Sequence, residues 1–103
     1  DSLRQSLFRN ADLFRELMSA SGFDLLPGEH PIIPVMLYEA KLAQTMAARL
    51  LDESVFVTGF SFPVVPRGQA RIRTQMNAAH SEDQVRQAAG AFAKVGRDLG
   101  VIT

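Results

Sequence analysis

The sequence predicts an α+β domain in which a small, mostly antiparallel sheet carries helices packed on one face. Three observations point to this fold. Apolar residues recur at helical spacing in three separate stretches, short runs of β-branched residues lie between them, and the order helix, strand, helix, strand, strand, helix provides one sheet for the helices to cover. The other face of that sheet is expected to meet solvent or a partner.

The composition fits one compact domain, with 103 residues and a hydrophobic content of 47%. Eleven basic and eleven acidic residues cancel, which argues against nucleic acid or an anionic membrane as a partner. Cysteine is absent and no apolar run approaches the roughly 20 residues of a membrane span, so we expect a cytoplasmic protein. Because the first residue is not Met, we expect the chain to be a piece of a longer protein.

Three helices are predicted from apolar residues that recur three and four positions apart. The first runs from Ser2 to Ser21 and ends at Gly22, and the second runs from Glu39 to Asp52. The third begins at a capping box formed by Ser81 and Gln84. The apolar stripes are Leu3, Leu7, Ala11, Phe14 and Met18, then Leu42, Met46 and Leu50, then Val85, Ala88, Phe92, Val95 and Leu99.

Three strands are predicted between the helices: Ile32 to Leu37, Val55 to Thr58 and Ala70 to Met76. The first contains Pro34, which cannot donate a ladder hydrogen bond and therefore indicates a sheet edge or a bulge. Gly59 is expected to end the second. The third alternates two sets of side chains, Ile72, Thr74 and Met76 against Arg71, Arg73 and Gln75.

This alternation places Arg71 and Arg73 on the same face of the third strand. A guanidinium group matches a carboxylate in a bidentate way, so the pair is a candidate site for an anionic ligand. The alternative is that both arginines pair with Asp or Glu side chains on the surface. The pattern alone does not choose between the two interpretations, or between the two arginines.

The stretch Phe60 to Gly68 is a second candidate feature because it is apolar and contains two prolines. Such a loop suits a lid or an interface. The alternative is that it folds back onto its own sheet.

The remaining polar residues form no complete active site. His30 and His80 lack neighbours at metal-ligand spacing and are expected to be ordinary loop histidines, and Lys41 and Lys94 are expected to be solvated helix lysines. The sequence therefore predicts no metal site, no cofactor-binding residue and no catalytic residue within this chain.

The run GFSFPVVPRGQARIRTQMNAAHS, from Gly59 to Ser81, resembles the C-terminal region of the α-oxoamine synthases, which are pyridoxal-phosphate-dependent enzymes of fold type I. The segment HPIIPVML, His30 to Leu37, and the terminal GVI extend the resemblance over essentially the whole chain. The family members that it resembles join glycine to acetyl-CoA.

The resemblance implies that residues 1–103 form a C-terminal small domain, and that a large domain carrying pyridoxal 5'-phosphate and its Schiff-base lysine lies upstream. The second arginine of the family's Ala-Arg-x-Arg motif holds the carboxylate of the amino acid, and here it is Arg73. Glycine, acetyl-CoA and CoA are the implied ligands, a homodimer is the implied assembly, and the isolated chain is expected to be inactive. No role is implied for Arg71.

Two alternatives stay open. The chain could come from a sister enzyme of the 8-amino-7-oxononanoate synthase or 5-aminolevulinate synthase type, or it could be a stand-alone ligand-binding or interaction module, because fold alone does not fix function.

Overall fold

The computed structural model describes residues 2–26, 32–75 and 80–102. These residues form three helices and a four-stranded antiparallel sheet, so the predicted α+β fold is confirmed. No helix in this part of the chain has the length and apolar character needed to cross a membrane. In chain order the elements are α1 (Ser2–Ser21), β1 (Asp24–Leu25), β2 (Ile32–Tyr38), α2 (Ala40–Asp52), β3 (Thr58–Phe60), β4 (Ala70–Gln75) and α3 (Glu82–Asp98).

The sheet has the strand order β1-β2-β4-β3, which makes β4 an interior strand. Val35 on β2 and Gly59 on β3 both lie opposite Ile72 of β4. Because directly paired residues of an antiparallel sheet share a face, these three positions belong to the same face of the sheet. That face is the buried one, since Val35 and Ile72 are completely inaccessible to solvent.

The helices cover this buried face. Helix α1 contacts β1 and β2, α2 contacts β2, β3 and β4, and α3 packs on α1 and α2. Phe92 of α3 forms the centre of the core, with edge-to-face ring contacts to Phe14 at 5.7 Å and to Phe23 at 5.9 Å between centroids. The prediction of helices on one face of a small sheet is confirmed.

The predicted helices agree with the observed ones to within a residue or two. The capping box of α3 is present, because the Ser81 hydroxyl accepts from the Gln84 N–H while the Gln84 side chain accepts from the Ser81 N–H. Gly22 ends α1 with a positive φ of 107°. The prediction that Leu3 belongs to the buried stripe of α1 is wrong. Leu3 is 71% exposed, and burial along α1 begins one turn later at Leu7.

The predicted strand Val55 to Thr58 is wrong in its position, because β3 begins at Thr58 and includes Gly59 rather than ending there. The reason is packing against α2. Helix α2 contacts β3 here, and a Cβ atom placed on Gly59 would lie 3.7 Å from the Ala43 carbonyl oxygen, an ordinary van der Waals distance, so the strand continues through the glycine while it packs against the helix. The short strand β1 was not predicted from the sequence.

The expectation that Pro34 marks a sheet edge is also wrong, since β2 lies between β1 and β4. The register irregularity of β2 falls between Met36 and Tyr38, beyond the proline. Pro34 is tolerated because its carbonyl oxygen accepts from the Leu26 N–H on the β1 side, just past the end of that two-residue strand. The donor that proline lacks would point to the same side, where β1 has ended.

Two glycines of α3 provide a matched test of this packing. A Cβ on buried Gly96 would lie 2.6 Å from Cζ of Phe23, whereas a Cβ on Gly90 meets nothing within 4 Å. We expect Gly96→Ala to lower the free energy of unfolding by ~1–3 kcal/mol because Phe23 must move. Gly90→Ala should raise it by ~0.5–1 kcal/mol through helix propensity. Urea unfolding of both variants measures the two effects, and equal effects at the two positions would contradict the packing described.

Candidate functional site

The candidate site lies on the outer face of the sheet, opposite the helices. Ala70, Ile72 and Thr74 of β4 are buried, so Arg71 and Arg73 project from the other face. The predicted alternation is confirmed for these residues, while Met76 lies outside the described part of the chain. On this face Arg71 sits between Met36 and Phe60, and Arg73 sits between Pro34 and Thr58.

Arg73 is exposed, and its guanidinium lies over an aromatic ring. Its Cζ atom is 4.5 Å from the centroid of Phe60, which is half-buried. Phe60 is the direct partner of Arg71 rather than of Arg73, so its ring reaches diagonally across the β3–β4 pair. This distance is in the range of a cation–π interaction.

Arg71 has different surroundings. It is half-buried, and its Nε donates a hydrogen bond of 3.1 Å to the carbonyl oxygen of Gln69, two residues earlier in the chain. This bond engages its guanidinium with the backbone just before β4. The two arginines share a face, but their head groups have different partners.

Neither arginine is paired with an acid among residues 2–26, 32–75 and 80–102, where the ion pairs are Arg49–Asp98, Arg86–Glu82 and Lys94–Glu53. The alternative that both arginines serve surface ion pairs is therefore not supported by this part of the chain. Asp24, which lies on the same face opposite Met36, instead accepts a hydrogen bond from the Tyr38 hydroxyl.

The bond to Asp24 raises the pKa of Tyr38 above its usual value, with burial and the negative charge of Asp24 acting in the same direction. Tyr38 also has a positive φ of 72°, which is uncommon for a residue with a side chain. The Asp24 carboxylate thus accepts from a neutral donor, and no acid among the described residues pairs with Arg73.

The loop before β4 exposes apolar side chains. Phe62 and Val64 are 51% and 72% exposed, and the Arg67 guanidinium lies 4.0 Å from the Phe62 centroid. Phe60 is half-buried beneath Arg73, and the turns of the loop are closed by hydrogen bonds such as Val64 N–H to the Ser61 carbonyl oxygen. The alternative that the whole loop folds back onto its sheet is wrong for Phe62 and Val64. Its behaviour as a lid stays a prediction.

A cavity of about 550 Å³ lies on the core side of the sheet, away from the arginines. Thr74 is the residue of β4 that lines it. The Thr74 hydroxyl is satisfied, because it donates to the Ile33 carbonyl oxygen at 2.8 Å. This cavity therefore does not extend the arginine site.

The other candidate residues do not join the site. Lys41 and Lys94 are exposed on α2 and α3, as predicted, and Lys94 pairs with Glu53. The carbonyl oxygen of His80 accepts from the Asn10 side chain, and His30 lies outside the described residues. In the part of the chain that the structure describes, no three His, Cys, Asp or Glu side chains are placed to hold a metal ion.

The arrangement can bind a small anion at the exposed Arg73 guanidinium, which no acid within residues 2–26, 32–75 and 80–102 occupies. Sequence reasoning missed the ring beneath it, because Val55 to Thr58 was predicted as the strand and Phe60 was assigned to the loop. The contact depends on the long-range pairing of β3 with β4, with Thr58 opposite Arg73, which no local sequence pattern indicates.

An α+β domain that presents an arginine on an open sheet face, without an acidic partner in the part of the chain that the structure describes, is consistent with the small domain of a pyridoxal-phosphate enzyme. The family described as aminotransferase class I and II matches residues 1–92, and the chain belongs to this family.

Within the family the relatives agree with the resemblance to the α-oxoamine synthases. The chain is 56% identical over 100 residues to 2-amino-3-ketobutyrate coenzyme A ligase of Salmonella typhimurium, covering 97% of the chain and 25% of that protein. It is 45% identical over 102 residues to the mitochondrial enzyme of that name from Homo sapiens, covering 99% and 24%. It is also 45% identical over 100 residues to 8-amino-7-oxononanoate synthase of Trichlorobacter lovleyi, covering 97% and 26%. The chain thus spans about a quarter of the length of these relatives.

A solved structure supports the fold and the cofactor. Serine palmitoyltransferase of S. paucimobilis, with PLP bound, superposes with a TM-score of 0.91 at 31% identity, covering 98% of the chain and 26% of that protein. The predicted family and the predicted cofactor, pyridoxal 5'-phosphate, are confirmed at the level of these relatives. Lys41 and Lys94 both lie on helices away from the arginine face, so neither places an amine beside Arg73.

The bond between Tyr38 and Asp24 can be tested directly because Tyr38 is the only tyrosine and tryptophan is absent. We expect Tyr38 to titrate above the usual value of about 10, and Asp24→Asn to move the pKa back toward that value. Since the hydroxyl donates only while protonated, its stabilising effect is complete below pH ~10 and is lost as the pH rises through the raised pKa. Ultraviolet absorbance of the tyrosinate measures the titration.

Glu39→Gln is the matched control, because it removes the negative charge adjacent to Tyr38 in the chain and leaves the charged acceptor, Asp24, in place. An unchanged Tyr38 pKa in Asp24→Asn would contradict the geometry of the outer face.

Proposed function

We propose that this chain is the C-terminal small domain of a pyridoxal-phosphate-dependent acyltransferase, and that Arg73 binds the carboxylate of the amino acid substrate. The observation that carries the proposal is the state of Arg73: it is exposed on the outer face of the sheet, beside a ring and without an acidic partner among the described residues. The similarity to serine palmitoyltransferase and 2-amino-3-ketobutyrate coenzyme A ligase supplies the reaction class.

The chemistry divides between the cofactor and this chain. Pyridoxal phosphate, when bound, acts as the electron sink for bond changes at the α-carbon of the amino acid. The contribution of Arg73 is to hold the carboxylate, which fixes the orientation of the substrate relative to the cofactor. A guanidinium suits this role because two parallel N–H donors match the two carboxylate oxygens.

We further propose glycine and acetyl-CoA as the substrates and 2-amino-3-ketobutyrate and CoA as the products, in the breakdown of threonine to glycine. The identity of 56% to the Salmonella enzyme favours this over the 8-amino-7-oxononanoate synthase type, for which the identity is 45%. Membership of the family disfavours the stand-alone module. A cytoplasmic location remains a prediction, since the human relative is mitochondrial by name.

The proposed domain arrangement follows from the same comparison. The relatives are about four times as long as the chain, and the Schiff-base lysine is expected on a large domain that precedes residue 1 in the full-length protein. We propose that the full-length protein is a homodimer. We also propose that residues 1–103 alone are inactive, because binding a carboxylate through Arg73 does not by itself supply a group that reacts with the substrate.

Arg73→Ala in the full-length protein tests the substrate role. We expect kcat/KM for glycine to fall about 10²-fold through a higher KM, because a charged bidentate interaction is lost. Arg73→Lys should recover only part of this loss, since an ammonium group is a point charge without the planar fork. Steady-state kinetics with varied glycine provide the measurement.

Arg86→Ala is the control, because it removes an arginine from the solvent side of α3, where its ion pair with Glu82 is exposed. Glycine kinetics should be unchanged in this variant. If Arg73→Ala keeps wild-type glycine kinetics, the proposed role is wrong.

The acyl donor separates the proposed reaction from those of the sister enzymes. We expect the full-length protein to use acetyl-CoA with glycine at a kcat/KM at least roughly tenfold above that for pimeloyl or succinyl donors, since selective binding of the acyl group is needed to distinguish them. Release of CoA measured with each donor decides the question. A preference for the pimeloyl donor with alanine, or for the succinyl donor with glycine, would assign the protein to a sister type instead.

A further inference from the structure

The position of the Arg73 guanidinium depends on an interaction that the substrate role alone does not explain. Within the described residues it makes no ion pair, and its recorded partner is the ring of Phe60, with Cζ 4.5 Å from the centroid. A long arginine side chain on an open face would otherwise sample several rotamers, and ordering it costs conformational entropy.

The neighbouring arginine does not compete for the same ring. Arg71 lies directly opposite Phe60, but its Nε donates to the Gln69 carbonyl oxygen. The Phe60 ring extends instead beneath Arg73, which is the next residue of β4 on this face and lies two pairs further along the β3–β4 ladder, opposite Thr58.

The backbone under Phe60 is fixed by packing. Gly59 lies beneath α2, where a Cβ atom would be 3.7 Å from the Ala43 carbonyl oxygen and 4.0 Å from the Ala47 side chain. The pairing of Gly59 with Ile72, which is completely buried, fixes the register of β3 against β4. Phe60 therefore projects from an edge strand that pairs with β4 along one side and is contacted by α2 on the buried face, and such support suits a residue that orients another.

We propose that Phe60 is a positioning residue for Arg73, and that its ring holds the guanidinium in the orientation that receives the amino acid carboxylate. A cation over a ring is attracted to the π face and spends none of its N–H donors on that contact. The guanidinium thus stays ordered, and because no acid among the described residues pairs with it, its donors can serve the carboxylate. This inference rests on the proposed substrate role of Arg73.

The test is a double-mutant cycle in the full-length protein with its cofactor. Phe60→Leu keeps an apolar side chain and removes the π face, and we expect it to raise the KM for glycine roughly three- to tenfold with little change in kcat or in the KM for acetyl-CoA. Phe60→Tyr retains the ring and should restore glycine binding to near the wild-type level. In an Arg73→Ala background, Phe60→Leu should have no further effect on the KM for glycine.

Phe8→Leu is the matched control. Phe8 on α1 also carries an arginine over its ring, with Arg4 Cζ at 5.7 Å, so the same substitution removes a similar pair from a helix. We expect no change in the KM for glycine. Thermal unfolding of Phe60→Leu and a crystal structure of this variant add readouts that do not depend on catalysis, and we expect a folded protein in which the Arg73 side chain is displaced or disordered.

The outcomes separate the inference from the function on which it rests. If Arg73→Ala raises the KM for glycine and Phe60→Leu does not, the positioning role is wrong and the substrate role stands. Equal effects of Phe60→Leu in the wild-type and Arg73→Ala backgrounds would also overturn the positioning role, because Phe60 would then act independently of Arg73. If Arg73→Ala itself leaves the KM for glycine unchanged, the substrate role of Arg73 is wrong, and the positioning role that rests on it is wrong too.

Discussion

The burial of Ile72 and Thr74 against the helices fixes the direction of the other side chains on β4. Successive side chains of a strand point to opposite faces. Because Ile72 and Thr74 are buried in the core, Arg71 and Arg73 lie on the open face. A shift of one residue in the pairing of β4 would bury both guanidinium groups and expose the core residues. Because β4 is paired on both sides, by β2 and β3, the packing of the domain and the position of its candidate site depend on the same register.

The register alone does not distinguish the two arginines; their neighbours do. The Arg71 guanidinium is bound to the Gln69 carbonyl oxygen, and the Arg73 guanidinium lies over the Phe60 ring. The carboxylate of Asp24 on the same face accepts from Tyr38. Electrostatic interactions within the described residues thus leave a positive group with free donors, which is the property that recognition of a carboxylate requires.

Much of this architecture could be predicted because it follows from local patterns. The helices follow from apolar spacing and from the Ser81–Gln84 capping box, and the two faces of β4 follow from strict alternation. The position of β3 could not be predicted locally, since Gly59 suggests a strand end, whereas the strand continues through it because it pairs with Ile72 of β4 and packs against α2. Pro34 similarly misleads as a sign of a sheet edge, because the N–H group that proline lacks would point to the side where β1 has already ended. The contact between Arg73 and Phe60 depended on that same long-range pairing, whereas the substrate role of Arg73 came from the family motif.

The central claim is that Arg73 and a substrate carboxylate form a direct pair across the boundary between this domain and the rest of the protein. A crystal structure of the full-length protein with pyridoxal phosphate and glycine measures this directly. The account predicts two hydrogen bonds of about 2.7–2.9 Å from the Arg73 guanidinium to the carboxylate oxygens, with the Phe60 ring still beneath it. A glycine carboxylate bound by other residues, with Arg73 directed away from it, would contradict the account.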